Sequence, residues 1–170
     1  TNNTNIHSKH FPYSFRALIV GPSGAGKTSL LMRLLLEDDL LNYDKLYVFA
    51  KSLYQPEYQI LKAGLENNLS KEYIKRLLNS DSIPRENNYT LDQIDTICKG
   101  ISEVEQNKSS IECEFHHDPN SISDPKDLDK NIRNLIIFDD IMTDRKQTTA
   151  ENYYTRGRSA NCDGIYLSQN

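Results

Sequence analysis

Four short apolar runs, separated by polar turns and amphipathic stretches, set the rhythm of this chain. Phe15–Val20, Lys45–Ala50, Asn134–Phe138 and Ile165–Ser168 are rich in branched and aromatic residues and read as strands. Between them the apolar spacing turns helical. Leu30, Leu31, Leu34 and Leu35 predict a helix to about Glu37, and further helices are expected through Glu57–Glu66 and, more weakly, Lys71–Leu78. Thr90-Leu-Asp-Gln93 has the form of a capping box and opens a helix to about Val104. Thr148-Thr-Ala-Glu151 is a second box, opening a helix to about Ala160. Asn161 and Gly164 bracket the turn into the last strand. Helices alternating with short buried strands predict an α/β fold with a mostly parallel central sheet flanked by helices.

The ends and the middle differ in character. Residues 1–14 are polar and Asn-rich, a loose arm. Residues 15–170 suit one domain. Within it, Gln106–Lys130 carries Pro119, Pro125 and six acids against three lysines, so it supplies −3 of the net charge of −4. It reads as an acidic surface insertion. The balance makes the domain no electrostatic magnet for nucleic acid, yet a local loop such as Arg145-Lys146 would still suit a phosphate backbone. Three cysteines, Cys98, Cys113 and Cys162, form no disulfide framework, and no apolar stretch has the length of a signal peptide or membrane span. A soluble protein of a reducing compartment, not secreted and without a membrane partner, is the expectation. The chain begins with Thr rather than Met, as an excerpt would.

Candidate chemistry sits where the first run ends. Gly21-Pro-Ser-Gly-Ala-Gly-Lys-Thr28 fills every position of the phosphate-loop pattern G-x-x-x-x-G-K-[ST], with a strand before it and a helix after it. The glycines allow successive N–H groups to converge on phosphate oxygens, and the helix dipole favours the same anion. Gly21, Pro22, Ser23, Gly24, Ala25, Gly26, Lys27, Thr28 and Ser29 are therefore expected to bind the phosphates of ATP. Lys27 reaches the β- and γ-phosphates and the Thr28 hydroxyl holds Mg²⁺.

Leu135-Ile-Ile-Phe138 delivers two carboxylates, Asp139 and Asp140, to the carboxyl edge of a buried strand. Asp139 is expected to bind Mg²⁺, and Asp140 to orient and deprotonate the attacking water. A separate strand, then a double acid, then a polar residue ending the next strand fits the additional-strand class of P-loop NTPases. Gln169 is that polar residue, expected beside the γ-phosphate as a sensor.

Beyond these motifs, Phe138-Asp-Asp140, Tyr154-Thr-Arg-Gly-Arg158, Asn161 and Ile165-Tyr-Leu-Ser-Gln169 resemble the genome-packaging ATPases of poxviruses, giant viruses, virophages and Polinton-type elements. These belong to the FtsK–HerA branch of P-loop motors. Phe49–Gln59, with its Tyr54-Gln-Pro-Glu-Tyr-Gln59 run, is also similar to the segment after strand two in that family. The resemblance covers about Phe15–Leu61 and Ile132–Asn170, not the middle. It implies a homo-oligomeric ring that hydrolyses ATP and translocates double-stranded DNA into a capsid at its portal vertex. It implies residence in the host cytoplasm or nucleus, at a viral factory, or in the virion. It also implies an arginine finger in trans from Arg156 or Arg158, which lie about 200° apart on a helix so that only one faces a neighbour. The family fold continues through a fifth strand, so the C-terminal part is expected to be truncated here.

Two other classes remain open at this point: a P-loop kinase of a small acceptor, and a nucleotide-gated switch that hydrolyses negligibly. The kinase would need an arginine-rich lid, whereas the long insertion here is acidic. Cys98, Cys113, His116 and His117 supply nitrogen and sulfur, but their spacing is poor for zinc, and a polar loop is the simpler reading. Tyr153 and Tyr154 are expected to pack in the core.

Overall fold

The computed structural model describes residues 14–22, 26–38, 40–80, 91–121, 123–140, 153 and 161–169. Five strands, β1 (Arg16–Val20), β2 (Lys45–Ala50), β3 (Glu112–His116), β4 (Asn134–Asp139) and β5 (Cys162–Ser168), form one sheet in the order β1-β5-β4-β2-β3. All four pairings are parallel. Among the described residues the α-helices with defined bounds are α1 (Lys27–Leu36), α2 (Pro56–Glu66), α3 (Lys71–Asn79) and α4 (Leu91–Val104). The expected α/β architecture with a parallel sheet flanked by helices is therefore present.

Strand alternation divides the core in two. Leu46, Val48 and Ala50 of β2, Leu135 and Ile137 of β4, and Ile165 and Leu167 of β5 face the side covered by α1–α4. Phe49, Ile136, Phe138, Cys162 and Tyr166 face the other side, with Leu128 and Tyr153. There an aromatic row crosses four strands. His116 stacks on Phe49 at 5.3 Å between ring centroids, Phe49 on Phe138 at 5.6 Å and Phe138 on Tyr166 at 4.9 Å. Tyr153, buried as expected, meets Phe138 edge-on at 5.5 Å. Tyr154 lies outside the described residues.

The acidic 106–130 segment is not only a surface excursion. Its residues 112–116 form β3, paired with β2 from Lys45↔Glu112 to Phe49↔His116. Among the described residues β3 is an edge strand, paired with β2 alone, which lets it carry Glu112 and Glu114. Lys45 pairs with Glu114 at 2.7 Å across this junction.

At the amino edge of the sheet, the buried Arg133 and Asp163 form an ion pair at 3.4 Å. Asp163 also accepts the Phe15 N–H at 2.9 Å, and Asp44 accepts the Arg133 N–H at 2.8 Å. These bonds tie together the starts of β1, β2, β4 and β5. The carboxyl edge is left for the site.

Candidate nucleotide site

Register sets the geometry of this edge. Val20 of β1 pairs with Ser168 of β5, Leu167 of β5 with Asp139 of β4, and Ala50 of β2 with Asp139. The loops after all four strands thus emerge level. Three further backbone bonds continue the ladder past the strand ends: Gly21 N–H to Ser168 O, Asp140 N–H to Leu167 O and Lys51 N–H to Asp139 O, at 3.1, 3.1 and 3.4 Å.

A cavity of about 690 Å³ opens on that edge. Gly26, Lys27, Thr28 and Ser29 line it from the start of α1, Asp139 and Asp140 from the end of β4, and Gln169 from just beyond β5. Residues from three distant stretches of sequence, all expected at one site, meet here. Lys51, Ser52, Gln55 and Glu57 line the same cavity from the β2–α2 connection, and the motifs assign chemistry to none of them.

Gly26 caps α1 with φ of 84°, a left-handed conformation that favours glycine. A Cβ there would meet nothing within 4 Å, so the requirement is for backbone conformation rather than space. Lys27 Nζ donates to Gly21 O at 2.5 Å and to Ser168 O at 3.2 Å, while the Thr28 hydroxyl donates to Gln55 Oε1 at 3.0 Å. Gly21 and Pro22 are described, as the segment leaving β1. Ser23, Gly24 and Ala25 lie outside the described residues, as do Arg156, Arg158 and the Arg145-Lys146 pair.

The two aspartates differ sharply. Asp139 is half-buried and accepts the Tyr58 hydroxyl on Oδ2 at 2.6 Å. Burial raises its pKa above the usual aspartate value, against the pull of the Tyr58 bond and the Lys27 charge, with Asp140 adding to the rise. Asp140 is exposed and follows the strand with φ of 49°, a left-handed conformation that aspartate tolerates better than most residues. Tyr58 is 1% exposed, and burial first, then the Asp139 charge, drives its pKa far upward. It stays a neutral donor.

Hard oxygen donors from Thr28 and Asp139, beside a lysine, fit Mg²⁺, which keeps several waters and takes phosphate oxygens as its other ligands. Among the described residues no group of three or more His, Cys, Asp or Glu is arranged to hold a metal by itself. Burial pushes the Cys98 and Cys113 thiols up to about 11. No described helix is long and apolar enough to cross a membrane.

Comparison of the chain with protein-family models, with curated proteins and with solved structures found no match.

Proposed function

We propose that the chain is the nucleotide-binding domain of an ATP-hydrolysing motor of the additional-strand P-loop class. One observation carries the reading: Lys27, Thr28, Asp139, Asp140 and Gln169, expected at one site from motif alone, line a single cavity at the carboxyl edge. The strand order supports the class, because β5 lies between β1, which enters the phosphate loop, and β4, which bears the acids. In this reading the loop N–H groups and Lys27 bind the triphosphate, and Thr28 and Asp139 hold Mg²⁺. The ion supplies positive charge against the phosphate oxygens. Asp140, exposed to the cavity, orients a water and takes its proton. Gln169, at the end of the intervening strand, reports the γ-phosphate to β5.

The substrate of the motor comes from the motif resemblance. We infer that the ring translocates double-stranded DNA during viral genome packaging, with Arg156 or Arg158 reaching the neighbour's nucleotide. The test is an ATPase assay of the full-length protein with and without double-stranded DNA. Stimulation by DNA supports the motor. Phosphoryl transfer to a nucleoside with DNA inert would replace it by a kinase.

A further inference from the structure

The first turn of α2 makes a hydrogen bond to each of the two side chains proposed to hold Mg²⁺. Gln55, the residue preceding the helix, accepts the Thr28 hydroxyl at 3.0 Å through Oε1. Tyr58, one turn in, donates to Asp139 Oδ2 at 2.6 Å. Gln55 and Glu57 line the cavity itself, so this turn forms part of its wall.

The chemistry of each bond is directional. A hydroxyl has one proton and two lone pairs, so aiming the Thr28 proton at Gln55 leaves its lone pairs for a cation. A carboxylate that accepts a buried phenol on Oδ2 has its rotation fixed, with Oδ1 left for another partner. The helix that carries both groups is itself held in place. Pro56 presets the backbone at its first position. Gly64 lies so close to α3 that a Cβ there would sit 2.6 Å from Ile74 Cγ1.

We infer that Gln55 and Tyr58 are positioning residues for the metal: they orient Thr28 and Asp139 so that both present an oxygen to one Mg²⁺. The inference rests on the nucleotide reading above and extends it to two residues outside the phosphate loop and the acidic strand end. A tyrosine bonded only to satisfy its own burial would leave Mg²⁺ affinity untouched. Outer partners of metal ligands, when removed, typically weaken metal binding about ten- to hundredfold.

The test measures the Mg²⁺ concentration that half-saturates ATP binding by the full chain, and separately ATP affinity in chelator. Wild type is compared with Tyr58→Phe, Gln55→Ala and Gln55→Glu. Tyr58→Phe and Gln55→Ala are expected to raise the Mg²⁺ midpoint about tenfold or more while leaving affinity in chelator unchanged. Gln55→Glu, which keeps an acceptor for Thr28, is expected to restore the midpoint. Thermal melting checks that each variant is folded, and the Gln55 pair carries the test if Tyr58→Phe is not. Wild-type midpoints in the folded variants overturn the inference alone. A wild type that binds no ATP overturns the nucleotide reading and this inference with it, and one whose ATP binding ignores Mg²⁺ overturns the metal site and the inference built on it.

Discussion

Lys27 Nζ lies 3.2 Å from the carbonyl oxygen of Ser168, a residue 141 positions further along the chain. With its second bond, to Gly21 O, it joins the start of α1 to the ends of β1 and β5. The lysine that the motif assigns to phosphate is therefore already held over the carboxyl edge. Lys27→Ala is expected to weaken ATP binding roughly ten- to hundredfold, the effect of losing hydrogen bonds to a charged group worth about 1.5–3 kcal/mol. Equilibrium titration of the variant against wild type measures this directly.

Asp139, proposed to hold Mg²⁺, also carries a stability cost. Its pKa is raised in the folded protein, so the folded state holds that proton more tightly than the unfolded chain does. This contribution to stability is largest below the ordinary aspartate pKa and declines as pH rises through the raised value. Asp139→Asn is expected to remove the decline and raise the melting temperature at neutral pH in chelator, while abolishing the Mg²⁺ dependence of ATP binding. Melting curves across pH test the first effect, and a melting temperature lowered by the substitution would contradict it.

Helix α2, which carries Gln55 to the cavity wall and Tyr58 to Asp139, sits hard against α3. Gly64→Ala would place its methyl 2.6 and 2.8 Å from Ile74 Cγ1 and Cδ1. Overpacking of this kind costs about 1–3 kcal/mol. Combining Gly64→Ala with Ile74→Ala removes both crowding atoms, so the double variant is expected to lose less stability than the two singles together. Denaturant unfolding of all four proteins closes the cycle.

The opposite edge of the sheet makes a separate prediction. Asp163→Ala deprives the buried Arg133 of its carboxylate and the Phe15 N–H of its acceptor. Breaking one side of a buried pair costs about 3–5 kcal/mol. The loss should appear in urea unfolding as a lower midpoint with little change in slope.

Much of this fold could be read from apolar runs. The strands β2, β4 and β5 announce themselves because parallel strands covered on both faces are rich in Val, Ile, Leu and Phe, and β1 carries the same residue types although its Leu18 and Val20 are exposed. β4 runs one residue past its run, to Asp139, and β5 starts three residues before its own, at Cys162, where Asp163 is buried as an ion-pair partner. In contrast, β3 has no such run. Glu112-Cys-Glu-Phe-His116 lies at a sheet edge, where half the positions tolerate charge, and its signal resembles a polar loop.

Site residues divide along the same line. Lys27, Thr28, Asp139 and Asp140 follow from motifs whose chemistry demands those residue types. Gln55 and Tyr58 follow from no such demand, since their roles depend on where α2 docks. The signals for them are the resemblance of the Tyr54–Gln59 run and a proline with polar neighbours shortly after a buried strand, which sets a helix start.

Lys27 and the Asp139–Asp140 pair are proposed to converge on one magnesium triphosphate. Calorimetric titration of ATP into the full chain, with Mg²⁺ present and then chelated, tests this most directly when repeated on Lys27→Ala and Asp139→Ala. The account predicts one ATP per chain, bound more tightly with Mg²⁺, with affinity lost in the first variant and metal dependence lost in the second. Undiminished, metal-dependent binding in both variants would contradict it.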